Sequence, residues 1–237
     1  MGKKMKEKNA KNPGSAEPQL GKEGKAKTMG VRAELGLGAP SSIGAPGSWR
    51  SRGYLPHYDE LGKMQSITFR LADSLPQSKL IRLKEELLHL PQKEQEIERR
   101  KWIERWLDAG MGCCALRHPR VAEIVQETLL RFDGERYRLM AWCIMPNHVH
   151  VLIEARMELG KIVQSWKSYT GRWALAHNAE LGLGVPGKHF WIREYWDRFI
   201  RNKKHFEAVV DYIHANPVKA KLCRSSEKWM WSSAYAK

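Results

Sequence analysis

The chain has 237 residues, and its 41 Lys and Arg outnumber 26 Asp and Glu, for a formal net charge of +15. No apolar run approaches about 18 residues, so neither a membrane-spanning helix nor a membrane partner is expected. The basic N-terminus lacks the apolar segment of an export signal. Cys113, Cys114, Cys143 and Cys223 follow no C-x-x-C spacing, so reduced thiols in a cytoplasmic, nucleoid-associated protein are expected rather than a disulfide scaffold. The charge calls for a polyanionic partner, nucleic acid first.

Residues 1–52 are rich in Lys, Gly, Ala, Ser and Pro and show no apolar periodicity. They read as a disordered basic tail able to make weak phosphate contacts. The remainder is basic too, so the tail is not the whole source of charge. Residues 53–237 read as one folded domain, with a helical insertion at about 77–118.

In that domain Gln65–Leu71 alternates and is β-branched, which predicts a first strand. Two charged helices follow, Ser78–Leu90 and Gln92–Ala109, separated by Pro91. They read as a solvated accessory hairpin. Pro119–Phe132 has helical apolar spacing in Val121, Ile124, Val125, Leu129 and Leu130. Strands are predicted over Arg136–Ile144 and His148–Glu154, split by Met145-Pro146-Asn147. A long helix is predicted over Leu159–Ala179, with Val163, Trp166, Thr170 and Trp173 along one side. A Gly-rich loop, an extended segment Phe190–Trp196 and a helix Lys203–Ala215 stopping at Asn216-Pro217 complete the chain. This order suggests an α+β sandwich with a largely antiparallel sheet.

Two short motifs carry chemistry. On a strand, His148 and His150 point to one face while Val149, Val151 and Ile153 point to the other. Two imidazoles so placed can hold one divalent ion, although a lone H-x-H is as readily a pair of ordinary surface or core histidines. On a helix, Tyr212 and Asn216 lie one turn apart on the same face. Alone, they could equally be a packed tyrosine and a capping asparagine. Together the motifs make a site for phosphodiester chemistry. His148 and His150 would hold Mg²⁺ or Mn²⁺, Asn216 would add an oxygen ligand, and Tyr212 would attack phosphorus. His214 falls on a different side of the helix from Tyr212 and is not expected to be a ligand. Glu154 shares the histidine face two residues further on.

At these residues the chain resembles a known family. MPNHVHVLI at Met145–Ile153 looks like the His-hydrophobic-His signature of single-tyrosine HUH transposases. YIHANPVKAKL at Tyr212–Leu222 looks like the tyrosine helix of the REP-associated tyrosine transposases. ITFRLADSLP, RFDGERYRLMAW and WSSAY extend the resemblance, in order, over about 52–237. It implies a ferredoxin-like α+β fold with the histidine strand central in the sheet. It also implies cleavage and rejoining of single-stranded, hairpin-containing repeat DNA through a 5′-phosphotyrosine, by a monomer or homodimer. A Gln can stand in related transposases where this chain has Asn216. The alternatives are a domesticated hairpin-binding protein without cleavage, a replication initiator or relaxase, and an unrelated metal hydrolase.

DNA contacts are expected from Lys161, Lys167 and Arg172 on the long helix. Arg193, Arg198, Arg201, Lys203 and Lys204 follow, interleaved with Trp191, Tyr195, Trp196 and Phe199. Cations hold phosphates and rings stack on unpaired bases, although such aromatics also serve as core.

Overall fold

In the sheet of this protein an alternating strand separates an apolar face from a polar one, and the rest of the fold covers both. The computed structural model describes residues 48–51 and 56–236, with side chains from residue 60. The tail expected over 1–52 lies outside the described residues, apart from Ser48–Ser51. Those four residues form β1 and pair antiparallel with β2 (Pro56–Asp59).

The main sheet comprises β3 (Met64–Arg70), β4 (Tyr137–Ile144), β5 (His148–Ala155) and β6 (Trp196–Phe199) in the order β4-β5-β3-β6. Every neighbouring pair is antiparallel. Its helices are α1 (Gln77–Leu87), α2 (Gln92–Asp108), α3 (Pro119–Arg131), α4 (Leu159–Ala176) and α5 (Lys203–Lys219). The β3-α3-β4-β5-α4-β6 succession in this strand order is a ferredoxin-like α+β sandwich. The histidine strand β5 is central, as the resemblance implied. Among the described residues no helix is long and apolar enough to cross a membrane.

On one face Ile67, Phe69, Val149, Val151 and Ile153 pack against α3 and α4. Val121, Val125 and Leu129 come from α3; Ile162, Val163 and Trp166 come from α4. The Trp166 indole N–H donates to the Tyr137 hydroxyl at 3.0 Å, and that hydroxyl donates to the Leu129 carbonyl at 2.7 Å. The large rings are thus buried with their polar ends satisfied.

On the opposite face Ala141, Cys143 and Leu152 pack against Ile213 of α5. The α1–α2 hairpin docks on this side too: Leu75, Ile103 and Leu107 cluster with Trp196 of β6. The hairpin is otherwise charged and solvated, as its composition suggested.

Several boundaries differ from expectation. The expected helix ends at Leu90 and Ala179 fall at Leu87 and Ala176. The strand expected over Phe190–Trp196 begins only at Trp196. Phe190 and Trp191 are consecutive and both buried, against Gly171 and Phe69, so they cannot alternate as strand residues do. They form a loop that bonds to the end of β3 through Ala72 N–H and Ile192 N–H. The final helix does not stop at Asn216-Pro217 but runs to Lys219 with Pro217 inside it. Pro217 has no N–H to donate. The helix nevertheless closes with Ala220 N–H on the Asn216 carbonyl at 2.9 Å and Leu222 N–H on the Pro217 carbonyl at 2.8 Å.

Candidate functional site

The site lies on the polar face, where β5 is covered by α5. His148 and His150 are 1% and 4% exposed, and their Nε2 atoms are 3.0 Å apart. Strand β3 runs beside them in register, Arg70 opposite His148 and Thr68 opposite His150. Directly paired residues share a face.

Each imidazole is oriented from behind. The His148 Nδ1 lies 2.7 Å from Asn147 Oδ1. The Asn147 Nδ2 donates to the Met111 carbonyl at 2.9 Å, so Oδ1 is its acceptor end and His148 Nδ1 carries the proton. The loop behind Asn147 is tight. Gly112 has φ +85°, and a Cβ there would meet the Asp73 carbonyl oxygen at 2.8 Å. Cys113 N–H donates to Asp73 Oδ2 at 2.6 Å. His150 Nδ1 lies 2.8 Å from Thr68 Oγ1. Both Nε2 atoms therefore face the same point.

This arrangement fits a metal ion. The two Nε2 atoms, 3.0 Å apart, share a hydrogen bond, and with both protons on Nδ1 their lone pairs would converge on a cation. Burial lowers the pKa of both rings, with His150 also acting on His148; His150 falls to about 3, with Lys219 as a second cause. Neutral imidazole is the form that binds metal. Among the described residues no three His, Cys, Asp or Glu side chains gather at a metal-sized site. A third donor would have to be an amide, a water or a substrate oxygen.

Tyr212 meets the pair from α5. Its ring packs on His150 at 5.4 Å between centroids, close to perpendicular. Lys219 Nζ lies 4.6 Å from the centre of the same ring. Burial raises the Tyr212 pKa, and Glu104 and Asp108 of α2 raise it further. The phenol is thus neutral at ordinary pH. Asn216 sits one turn along, 1% exposed. Its Nδ2 donates to the Tyr212 carbonyl at 2.8 Å, which leaves Oδ1 as its acceptor.

The structure brings His148, His150 and Tyr212 together and places Asn216 a turn away. His214 instead bonds to Ser233 Oγ at 2.8 Å, and Glu154 faces Arg138 at 3.8 Å, so neither joins the site. Thr68 and Asn147 escaped the reading of the sequence. Asn147 precedes the motif directly, but Thr68 lies 82 residues away and only strand register reveals it.

The expected DNA-contact residues divide. Arg172, Arg193, Arg198, Arg201, Lys203 and Lys204 are exposed. Arg172 and Arg193 line a cleft of about 500 Å³ between α4 and the 188–195 loop, with Trp191 and Tyr195. Lys161 pairs with Glu158 at 3.2 Å. Lys167 is turned inward, its Nζ donating to the Ile192 and Arg193 carbonyls at 2.6 Å each.

Residues 115–216 match the model of a family described as "Transposase IS200 like". A REP-associated tyrosine transposase of Escherichia coli (strain K12) is 24% identical over 113 residues, 47% of this chain and 63% of that protein. A relative from Haemophilus influenzae is 26% identical over 110 residues, 41% of this chain and 58% of its own length. The chain thus spans less than two thirds of the curated relatives it matches. A solved structure of a REP-associated tyrosine transposase bound to a REP hairpin covers 76% of this chain and 81% of its own, at 17% identity and a TM-score of 0.45.

Proposed function

We propose that this chain, whose residues 115–216 match the IS200-like transposase family model, cleaves and rejoins single-stranded DNA through Tyr212, acting on hairpin-containing repeats. The observation that carries this reading is the Tyr212 ring packed against His150, whose Nε2 faces that of His148 at 3.0 Å. A purely structural histidine pair needs no tyrosine beside it, and a hydrolase needs no protein nucleophile.

In the reaction the Tyr212 hydroxyl oxygen bonds to phosphorus and the bond to the 3′ oxygen breaks. The products are a 5′-phosphotyrosine and a free 3′-OH, and the phenolic proton is balanced by protonation of the leaving oxygen. The phosphotyrosine keeps the phosphodiester energy, so attack by a 3′-OH reverses the step and joins a strand. His148, His150 and the Asn216 amide oxygen would hold Mg²⁺ or Mn²⁺, which polarises a phosphate when bound. Thr68 and Asn147 fix the two rings. Because the phenol is neutral, Tyr212 must lose its proton as it attacks. Arg172, Arg193, Arg198 and Arg201 hold flanking phosphates.

The test is incubation with single-stranded hairpin DNA and Mg²⁺ or Mn²⁺, followed by a denaturing gel. A covalent protein–DNA adduct is expected from the wild type and none from Tyr212→Phe, which should still bind the hairpin. Cleavage by Tyr212→Phe would refute the tyrosine mechanism. Binding without an adduct from the wild type would favour a hairpin-binding protein that does not cut.

A further inference from the structure

Beside the histidine pair lies a buried cation that the mechanism above does not use. Arg70, the last residue of β3, is 6% exposed and stands opposite His148 in the sheet. A guanidinium has five N–H donors. Here one nitrogen, Nη1, donates to Ser74 Oγ at 3.0 Å, and the group lies 5.7 Å from the centre of the Trp196 ring. Among the described residues no carboxylate lies within ion-pair distance of it.

Its neighbours in charge are cations. Burial lowers its pKa to about 10, and Arg99 of α2 adds to the effect. Arg70 in turn bears on Lys167 and on His148. A buried charge without a counter-ion costs several kcal/mol by the usual scale, and other cations around it add repulsion. Such a cost is tolerated where an anion completes the site.

The geometry points to Arg70 as a phosphate-binding residue, its guanidinium gripping a backbone phosphate of the DNA strand next to the one presented to His148. This rests on the reading of the histidine pair as the centre that receives a phosphodiester. The planar fork matches two phosphate oxygens. Access raises no separate difficulty: His148 and His150 are as buried as Arg70, so a strand that reaches the pair passes the cation beside it. The competing role is a strut that ties β3 to Ser74 and Trp196.

The two roles predict opposite stability effects. A strut replaced by Met should lower the melting temperature. Removal of an uncompensated charge should leave it unchanged or raise it. Arg70→Met and Arg70→Gln would be made in full-length Tyr212→Phe and assayed in EDTA with a short oligothymidylate and, separately, inorganic phosphate. Neither cleavage nor a metal then enters the readout, so a failure of the cleavage reading leaves this test intact. Both variants should melt no lower than the parent and bind the oligonucleotide about tenfold or more weakly, as for loss of a charged hydrogen bond. The plot of log affinity against log salt should be shallower by about 0.7. Stabilisation by inorganic phosphate should shrink in parallel. Parental affinity in either folded variant would overturn the assignment. So would loss of the fold in Arg70→Met, which would make Arg70 a strut.

Discussion

The two faces of β5 follow opposite rules. Val149, Val151 and Ile153 meet α3 and α4 in an apolar layer of aliphatic side chains and rings. His148 and His150, offset by one residue, meet Tyr212 in an equally dry layer built from polar atoms. Both faces are covered, so exposure does not distinguish them; hydrogen bonding does. The first face stabilises through area removed from water. The second is dry because it is covered, and that dryness keeps its imidazoles neutral.

The contrast can be broken from either side. The largest functional effect is expected from His150→Ala. Metal-dependent adduct formation should disappear, and Mn²⁺ binding by calorimetry with it, while a cooperative melting transition persists. Collapse of the fold would make the histidine structural. On the other face Phe69→Ala removes a ring that packs on Trp166 and Trp191. It should cost about 3–5 kcal/mol of stability in urea unfolding. Below its shifted midpoint it should leave metal affinity intact. A Phe69 variant with normal stability and lost metal binding would erase the division between faces.

A smaller effect separates the histidines from their supports. Thr68→Val keeps the shape and removes the partner of His150 Nδ1. Metal affinity should fall by about 10–100-fold, with melting changed little. An unchanged affinity would show that the ring is held by packing alone.

That variant also marks how far the sequence could be read. The alternation of His148–Glu154 and the one-turn spacing of Tyr212 and Asn216 are local patterns, and both were legible before any fold. Their union was first a chemical argument, which the resemblance then supported, because His150 and Tyr212 stand 62 positions apart and no local period joins them. Thr68 and Arg70 were not legible at all as site residues. Their place depends on the β3–β5 register, which no local period encodes. The end of α5 was misjudged because proline is a strong breaker in isolation, whereas here it falls in the last turn and costs one bond. Lys167 looked solvent-directed on its helix, since the loop that folds over it lies 25 residues further on.

A pH effect probes the hairpin that flanks the polar face. Asp108 of α2 has its pKa raised to about 6 by burial and by Glu104, with Lys219 opposing. The native state therefore binds more protons than the unfolded chain between about pH 4 and pH 6. This stability is fully present below about pH 4 and is lost as pH rises through about 6. Asp108→Asn should gain stability over the wild type above pH 6, and the gap should close towards pH 4 in urea unfolding. A gap that is constant with pH would place Asp108 in solvent.

The smallest effect asks whether the apolar face is purely structural. Arg172 and Lys167 sit on the same helix, five residues apart, and both read as DNA contacts in sequence. Arg172 is exposed at the rim of the cleft beside α4, whereas the Lys167 ammonium is capped by two carbonyls. Only a cation that is free to meet phosphate displaces counterions. Arg172→Ala should therefore make the salt dependence of single-strand binding shallower by about 0.7, and Lys167→Met should leave the slope unchanged. Lys167→Met should act on stability instead, since the Ile192 and Arg193 carbonyls lose their donor. A slope altered by Lys167→Met but not by Arg172→Ala would mean that the loop over Lys167 opens when DNA binds. An unchanged slope in both variants would make the outer surface of α4 a scaffold, with the strand held wholly on the histidine side of the sheet.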